Sequence, residues 1–147
     1  MTVLSADKSR RQRNVNFKRL RRVLMKTGDT YYQGQLISIL SADVDGQAAT
    51  DATGTIIAGV YAGDQVTLTA DTWKQVEWGH EEWFPSSGIA ATDLLDIAHI
   101  VDDATVGDAA AASTGVVKCG TITEFETING VAGAWIEVGM GYALAAS

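Results

Sequence analysis

The sequence predicts a mainly β fold: a small antiparallel β-barrel or sandwich with at most one short helix, preceded by an extended basic N-terminal arm. Three observations predict it. The 147-residue chain carries 15 glycines and a single proline, Pro85, so its turns are punctuated by glycine. Between the glycines lie short runs rich in Ile, Val and Thr, spaced as in small all-β domains. The charges are sharply divided. Residues 1–26 hold nine basic residues against one acid, a net +8. The remaining 121 residues hold two lysines against 17 acids, a net −15. A total of −7 therefore conceals two segments of opposite sign, the mark of a charged tail with its own partner.

The arm is expected over residues 1–27 and the acidic body over 28–147. Within the arm, Phe17, Leu20 and Leu24 fall at i, i+3 and i+7, one stripe of a helix. Arg10, Arg11, Arg13, Lys18, Arg19, Arg21 and Arg22 surround that stripe. Free in water, like charges and short length predict a frayed segment that orders on a partner, as a helix or an extended strap.

The body begins at Gly28-Asp29. Residues 35–40 and 55–61 read as short apolar strands. Residues 65–70 alternate strictly, which places Val66, Leu68 and Ala70 on one face, with Gly63-Asp64 as a tight turn before them. Thr92 is placed to cap a short helical turn through Asp93-Leu94-Leu95. Residues 97–101 form a strand ending at Asp102-Asp103, and residues 109–112 an alanine loop. Near the end, residues 121–128 and 134–138 flank Asn129-Gly130. That pair suits a type I′ hairpin because both of its positions require φ > 0. On the last strand Ala134, Ile136 and Val138 should face one way, Trp135 and Glu137 the other.

Composition narrows the chemistry. The one cysteine, Cys119, has no internal partner for a disulfide and reads as a small buried hydrophobe. The basic N-terminus is not followed by the apolar run of a secretory signal, although an Arg-rich, acid-poor stretch matches a transit peptide in composition. No stretch approaches the roughly 20 apolar residues that a membrane span needs. His80 and His99 lack the short paired spacing of a zinc site, so neither metal nor cofactor is expected. His80 reads as an exposed loop residue and His99 as a hydrogen-bonded strand residue. Asp43, Asp45 and Asp51 lie near Gly46 without the Glu that a calcium loop requires. No phosphate loop, dinucleotide fingerprint or nucleophile elbow is present, and no catalytic constellation assembles.

One cluster stands out. Trp73, Trp78, Trp83 and Phe84 fall within twelve residues, beside Glu77, Glu81 and Glu82. Core packing and inter-subunit contact both accommodate these rings. Base stacking suits them less, because the surrounding charge is negative.

Residues 28–138 resemble the small capsid cement, or head-decoration, proteins of tailed phages. The likeness rests on residues 28–64, which include the Ile56-Ile57-Ala58-Gly59-Val60 strand, and on Trp83-Phe84. It rests more heavily on residues 89–106 with their Val101-Asp102-Asp103-Ala104-Thr105-Val106 motif, on residues 116–125, and on the closing Gly133-Ala134-Trp135-Ile136-Glu137-Val138 strand. Leu95-Asp96 departs from the family, which often has Gly-Lys there, and the long basic arm is not universal in it. The resemblance implies a non-enzymatic virion protein on the outer face of the capsid. It would bind the major capsid protein, often as a homotrimer, and clamp neighbouring capsid subunits. The basic segment then reads as a capsid-binding strap, and Trp73, Trp78, Trp83 and Phe84 as candidates for the subunit interface. The alternative is a nucleic-acid-binding protein that uses the basic arm, which the acidic body opposes.

Overall fold

The computed structural model describes residues 10–40, 45–50, 54–108, 111 and 117–139. The alanine loop expected at residues 109–112 falls almost wholly outside them. The described chain forms β1 (Gln12–Arg13), β2 (Arg19–Met25), β3 (Thr30–Tyr31), β4 (Leu36–Leu40), β5 (Asp45–Ala48), β6 (Thr55–Tyr61) and β7 (Val66–Thr67), followed by β8 (Thr72–Trp78), β9 (Glu81–Ser87), β10 (Ile97–Ile100), β11 (Val106–Gly107), β12 (Lys118–Phe125) and β13 (Gly133–Val138). Helical structure among these residues is limited to the 3-10 turns Val15–Phe17 and Ala91–Asp93.

The strands close two rings in sequence. β2, β5, β4, β6 and β8 form a closed barrel. β9, β11, β10, β12 and β13 follow one another in the second sheet, and β13 pairs back onto β9 to complete the circuit. β1 lies on β9, with Gln12 opposite Glu82 and Arg13 opposite Glu81. The small β3–β7 ladder packs Tyr31 and Val66 against the core of the first barrel. Closure removes the open edges that would otherwise recruit other chains.

The chain passes from the first ring to the second at Gly79-His80. Gly79 has φ 90°, a left-handed value, and a Cβ there would meet the Phe17 carbonyl at 2.7 Å, so both conformation and space call for glycine. Inside the first barrel Val23, Met25, Tyr31, Ile37, Ala58, Tyr61, Leu68 and Val76 pack together. The second cluster joins both rings: Leu36, Ala49, Ile57 and Val60 of the first meet Phe84, Ala98, Ile100, Ile122, Ala134, Ile136 and Val138 of the second.

The motif at residues 101–106 fastens this junction. The Asp102 carboxylate accepts from the Ala104 N–H at 2.9 Å and shapes the turn. Asp103 is buried; its carboxylate accepts from the Gln35 amide at 2.7 Å, and its backbone carbonyl from the Leu36 N–H at 2.9 Å.

Several local expectations hold. The strands at 36–40, 55–61 and 97–100 lie where the apolar runs place them. Asn129 (φ 51°) and Gly130 (φ 78°) turn the β12–β13 connection, closed by reciprocal 3.0 Å bonds between Ile128 and Val131. Ala134, Ile136 and Val138 face the core and Glu137 faces solvent, while Trp135, on the outer register, is covered by other side chains.

Others need correction. The basic segment from Arg10 onward is not an appendage, and the boundary expected at residue 27 falls inside the first barrel. Its helical stripe is a strand instead: β2 pairs with β8 throughout, from Arg19 opposite Trp78 to Met25 opposite Thr72. Leu20 and Leu24 are four apart, which places them on one face at period 2 as well as on one side of a helix. Residues 65–70 pair only at Val66–Thr67, and Ala70 is exposed. Thr92 lies within its 3-10 turn rather than capping it; the Asp93 carboxylate takes the Ala90 N–H at 2.6 Å.

Candidate docking surface

The segment from Arg10 to Met25 is held by the acids of its own body. Arg10 forks onto the fully buried Glu82, through Nε at 3.1 Å and Nη2 at 2.6 Å, and reaches Glu77 at 2.8 Å. Burial works against the charge on Arg10, but its hydrogen bonds and ion pairs with Glu82 and Glu77 outweigh that and raise its pKa above the usual value. His80, which is fully buried, shares the same Glu82 oxygen at 2.8 Å. The expectation of an exposed loop histidine is therefore corrected. Lys18 reaches Glu77 at 3.2 Å.

A second network follows around Glu81. Arg13 meets Glu81 at 3.2 Å and Glu124 at 3.0 Å, and its guanidinium lies 4.1 Å from the Trp135 ring centroid. Asn14 and Thr123 also donate to Glu81. Burial pushes the Glu81 carboxyl up, yet the hydrogen bonds from Thr123, Arg13 and Asn14 and the Arg13 charge more than offset it and leave its pKa lowered.

Once Arg10, Arg13 and Lys18 are neutralised, a defined surface remains. Arg11, Arg19, Arg21 and Arg22 are exposed, and none of them enters an ion pair among the described residues. Val15 (52% exposed), Phe17 (65%) and Leu20 (56%) stand beside them. A groove of about 590 Å³ runs under Phe17, lined also by Asn14, Arg19, Trp78, Gly79, Glu81 and Glu137. Leu24, farther along β2, is half-buried. The result is a basic and apolar edge on an acidic molecule, with Arg19 and Arg21 on one face of β2 and Leu20 and Arg22 on the other, suited chemically to an acidic partner surface with apolar recesses.

The four clustered rings separate. Phe84 lies in the core, and Trp83 is buried with its indole N–H on the Glu126 carbonyl at 2.9 Å. Trp78 is half-buried, with the Arg19 guanidinium 5.3 Å from its ring. Trp73 is 54% exposed, with Arg22 at 5.5 Å. Only Trp73 and Trp78 present area to a partner. The signal for this split is the alternation of β8 and its register with β2.

The remaining chemistry-bearing residues are inward. Cys119 is buried, its Sγ donating toward the Ala98 carbonyl at 3.5 Å, and burial pushes its thiol up to about 12. His99 is a buried residue of strand β10, as expected, and its Nδ1 has no hydrogen-bond partner among the described residues. Among the described residues no group of three or more His, Cys, Asp or Glu is placed to hold a metal ion, and no helix is long and apolar enough to cross a membrane. No family model matches the chain, and neither a curated protein nor a solved structure matches it.

Proposed function

We propose that this is a non-enzymatic structural virion protein that binds the outer face of a phage capsid and stabilises contacts between major capsid subunits, acting as a homotrimer. The observation that carries the reading is the basic and apolar strip of Val15, Phe17, Arg19, Leu20 and Arg21 on an otherwise acidic β-body. The resemblance of residues 28–138 to capsid cement proteins supplies the partner. A strip fixed by Arg10 and Arg13 to two rings binds without first ordering a loose arm, so less conformational entropy is lost on docking. Several copies joined in a trimer need only modest affinity each, because linkage raises the effective concentration of the rest. The acidic remainder keeps copies apart and soluble.

The test asks first whether a major-capsid-type gene lies beside this one, and then uses shells assembled from its product. The protein should co-sediment with them and raise their melting temperature. A Phe17→Ser, Leu20→Ser double variant, changed only at exposed positions, should fold normally and decorate about tenfold or more weakly. Equal decoration by the variant, or no binding by the parent, rejects the reading.

One observation favours nucleic acid as the second reading: four arginines, Arg11, Arg19, Arg21 and Arg22, are exposed and outside ion pairs among the described residues, and Arg22 lies over the exposed ring of Trp73. Phosphate binding by this set would be steeply salt-dependent. Retention of DNA in a gel shift near physiological salt supports it; loss of all retention there removes it.

A further inference from the structure

β6 and β8 pair only at Val60 opposite Glu77 and Tyr61 opposite Val76. Beyond that point β6 leaves the barrel, and its chain turns through residues 62–65 to β7, which pairs with β3. β8 runs on to Thr72 with β2 on its other edge. The two strands splay, and a cleft of about 660 Å³ opens between residues 62–66 and 73–75. That volume is in the range of small-ligand sites, about 300–1,000 Å³.

One wall of the cleft is built rather than loose. Tyr61 is buried, and its hydroxyl donates to the Asp64 carbonyl at 2.8 Å across the turn. Gly63 lies flat on that ring; a Cβ there would stand 2.5 Å from the Tyr61 hydroxyl oxygen. The Ala62 carbonyl takes the Gln33 amide at 3.5 Å, and the Gly34 N–H donates to the Tyr61 carbonyl at 2.9 Å.

The lining has a particular chemistry. Trp73 is 54% exposed and lines the cleft. The Arg22 guanidinium carbon lies over that ring, 5.5 Å from its centroid, so a ligand stacking on the same face displaces a mobile side chain and one on the other face meets the ring directly. Around it stand Gln65, Gln75, Asp64 and Lys74. Amides both donate and accept, Asp64 only accepts, and Arg22 and Lys74 only donate. A ligand for this set has a flat C–H face for the ring and, around it, many hydroxyls that serve as donor and acceptor together. A polyanion would meet Asp64, and an apolar molecule would strand the polar rim.

We propose that this cleft binds a saccharide, with one pyranose stacked on Trp73 and its hydroxyls held by Gln65, Gln75 and Asp64. The ring burial supplies most of the affinity, the amides and charges the selectivity. The site stands independently of capsid binding.

The test is a printed array of neutral and acidic oligosaccharides probed with the intact protein, followed by calorimetric titration of the strongest binder. Binding should appear on the array. Trp73→Ala should weaken it about tenfold or more, with Trp73→Phe intermediate and Gln75→Ala weaker than the parent. The Phe17→Ser, Leu20→Ser variant should bind sugar like the parent, which separates this site from the capsid strip. Circular dichroism confirms that each variant is folded. An array without signal, or undiminished binding by Trp73→Ala, overturns the proposal. So does a preference for acidic peptides or single-stranded oligonucleotides over every saccharide.

Discussion

Arg10 is tied to two acids of the body, Glu82 and Glu77. Its removal takes the guanidinium from the fully buried Glu82, while Glu77 keeps Lys18. Breaking a buried pair from one side costs about 3–5 kcal/mol. Arg10→Ala should lower the denaturation midpoint accordingly, and a loss under about 1 kcal/mol would show that water already reaches Glu82. Glu81 adds a pH dependence. Its folded pKa is lowered, so its contribution is present above the ordinary carboxylate range and is lost as pH falls through the folded value. Arg13→Ala removes part of the cause, and its acid-unfolding midpoint should lie at higher pH than the parent's.

Leu95 is a strained residue. It holds φ 69° at 76% exposure, a conformation that costs a bulky residue about 1–2 kcal/mol. Glycine relieves that strain at a cost of about 0.5–1 kcal/mol in chain entropy. Leu95→Gly should therefore hold or slightly raise the melting temperature, and a clear drop would show that Leu95 makes contacts that matter.

At the scale of elements, the reading of the chain succeeded where turn chemistry and apolar runs are local. Asn129-Gly130 announces its hairpin because left-handed backbone at two successive positions selects those residue types. The β6 run and the alternation of β13 show for the same kind of reason. The reading failed at β2, where charge masked a strand. Arg19, Arg21 and Arg22 look like a solvated tail, and nothing within the segment reveals that β8 lies about 50–60 residues further on to pair with it. β8 and β9 were hidden by their own rings, since a Trp-rich stretch signals burial or contact without saying which. The β2 finding changes what a truncation measures. Deleting residues 1–26 removes β1 and a barrel stave, so the product should be unfolded or aggregated by circular dichroism and gel filtration. A folded, monodisperse product would restore the separate arm.

For the whole molecule, the decisive feature is the cluster shared by the two rings. Leu36, Ala49, Ile57 and Val60 cannot stay buried if the second ring opens, and Gln35 would lose Asp103. Unfolding should then be one cooperative transition, with tryptophan fluorescence and far-ultraviolet dichroism coinciding. Cys119 offers a third probe: buried, with its thiol pushed up to about 12, it should resist alkylation until that same transition. Separate transitions would mean that the rings are energetically independent.

By itself the sequence determined the β class, the positions of four strands and one hairpin, the inward Cys119, and the division of charge. These are properties of neighbouring residues, written in period and turn type. Only the tertiary structure decided that there are two closed rings, that His80 is buried, and that Trp73 stands open while Phe84 does not. It also turned much of the division of charge inward. Arg10, Arg13 and Lys18 meet the acids of their own chain, because two segments far apart in sequence satisfy each other's charges once a barrel brings them together. Arg11, Arg19, Arg21 and Arg22 are what that pairing leaves outside.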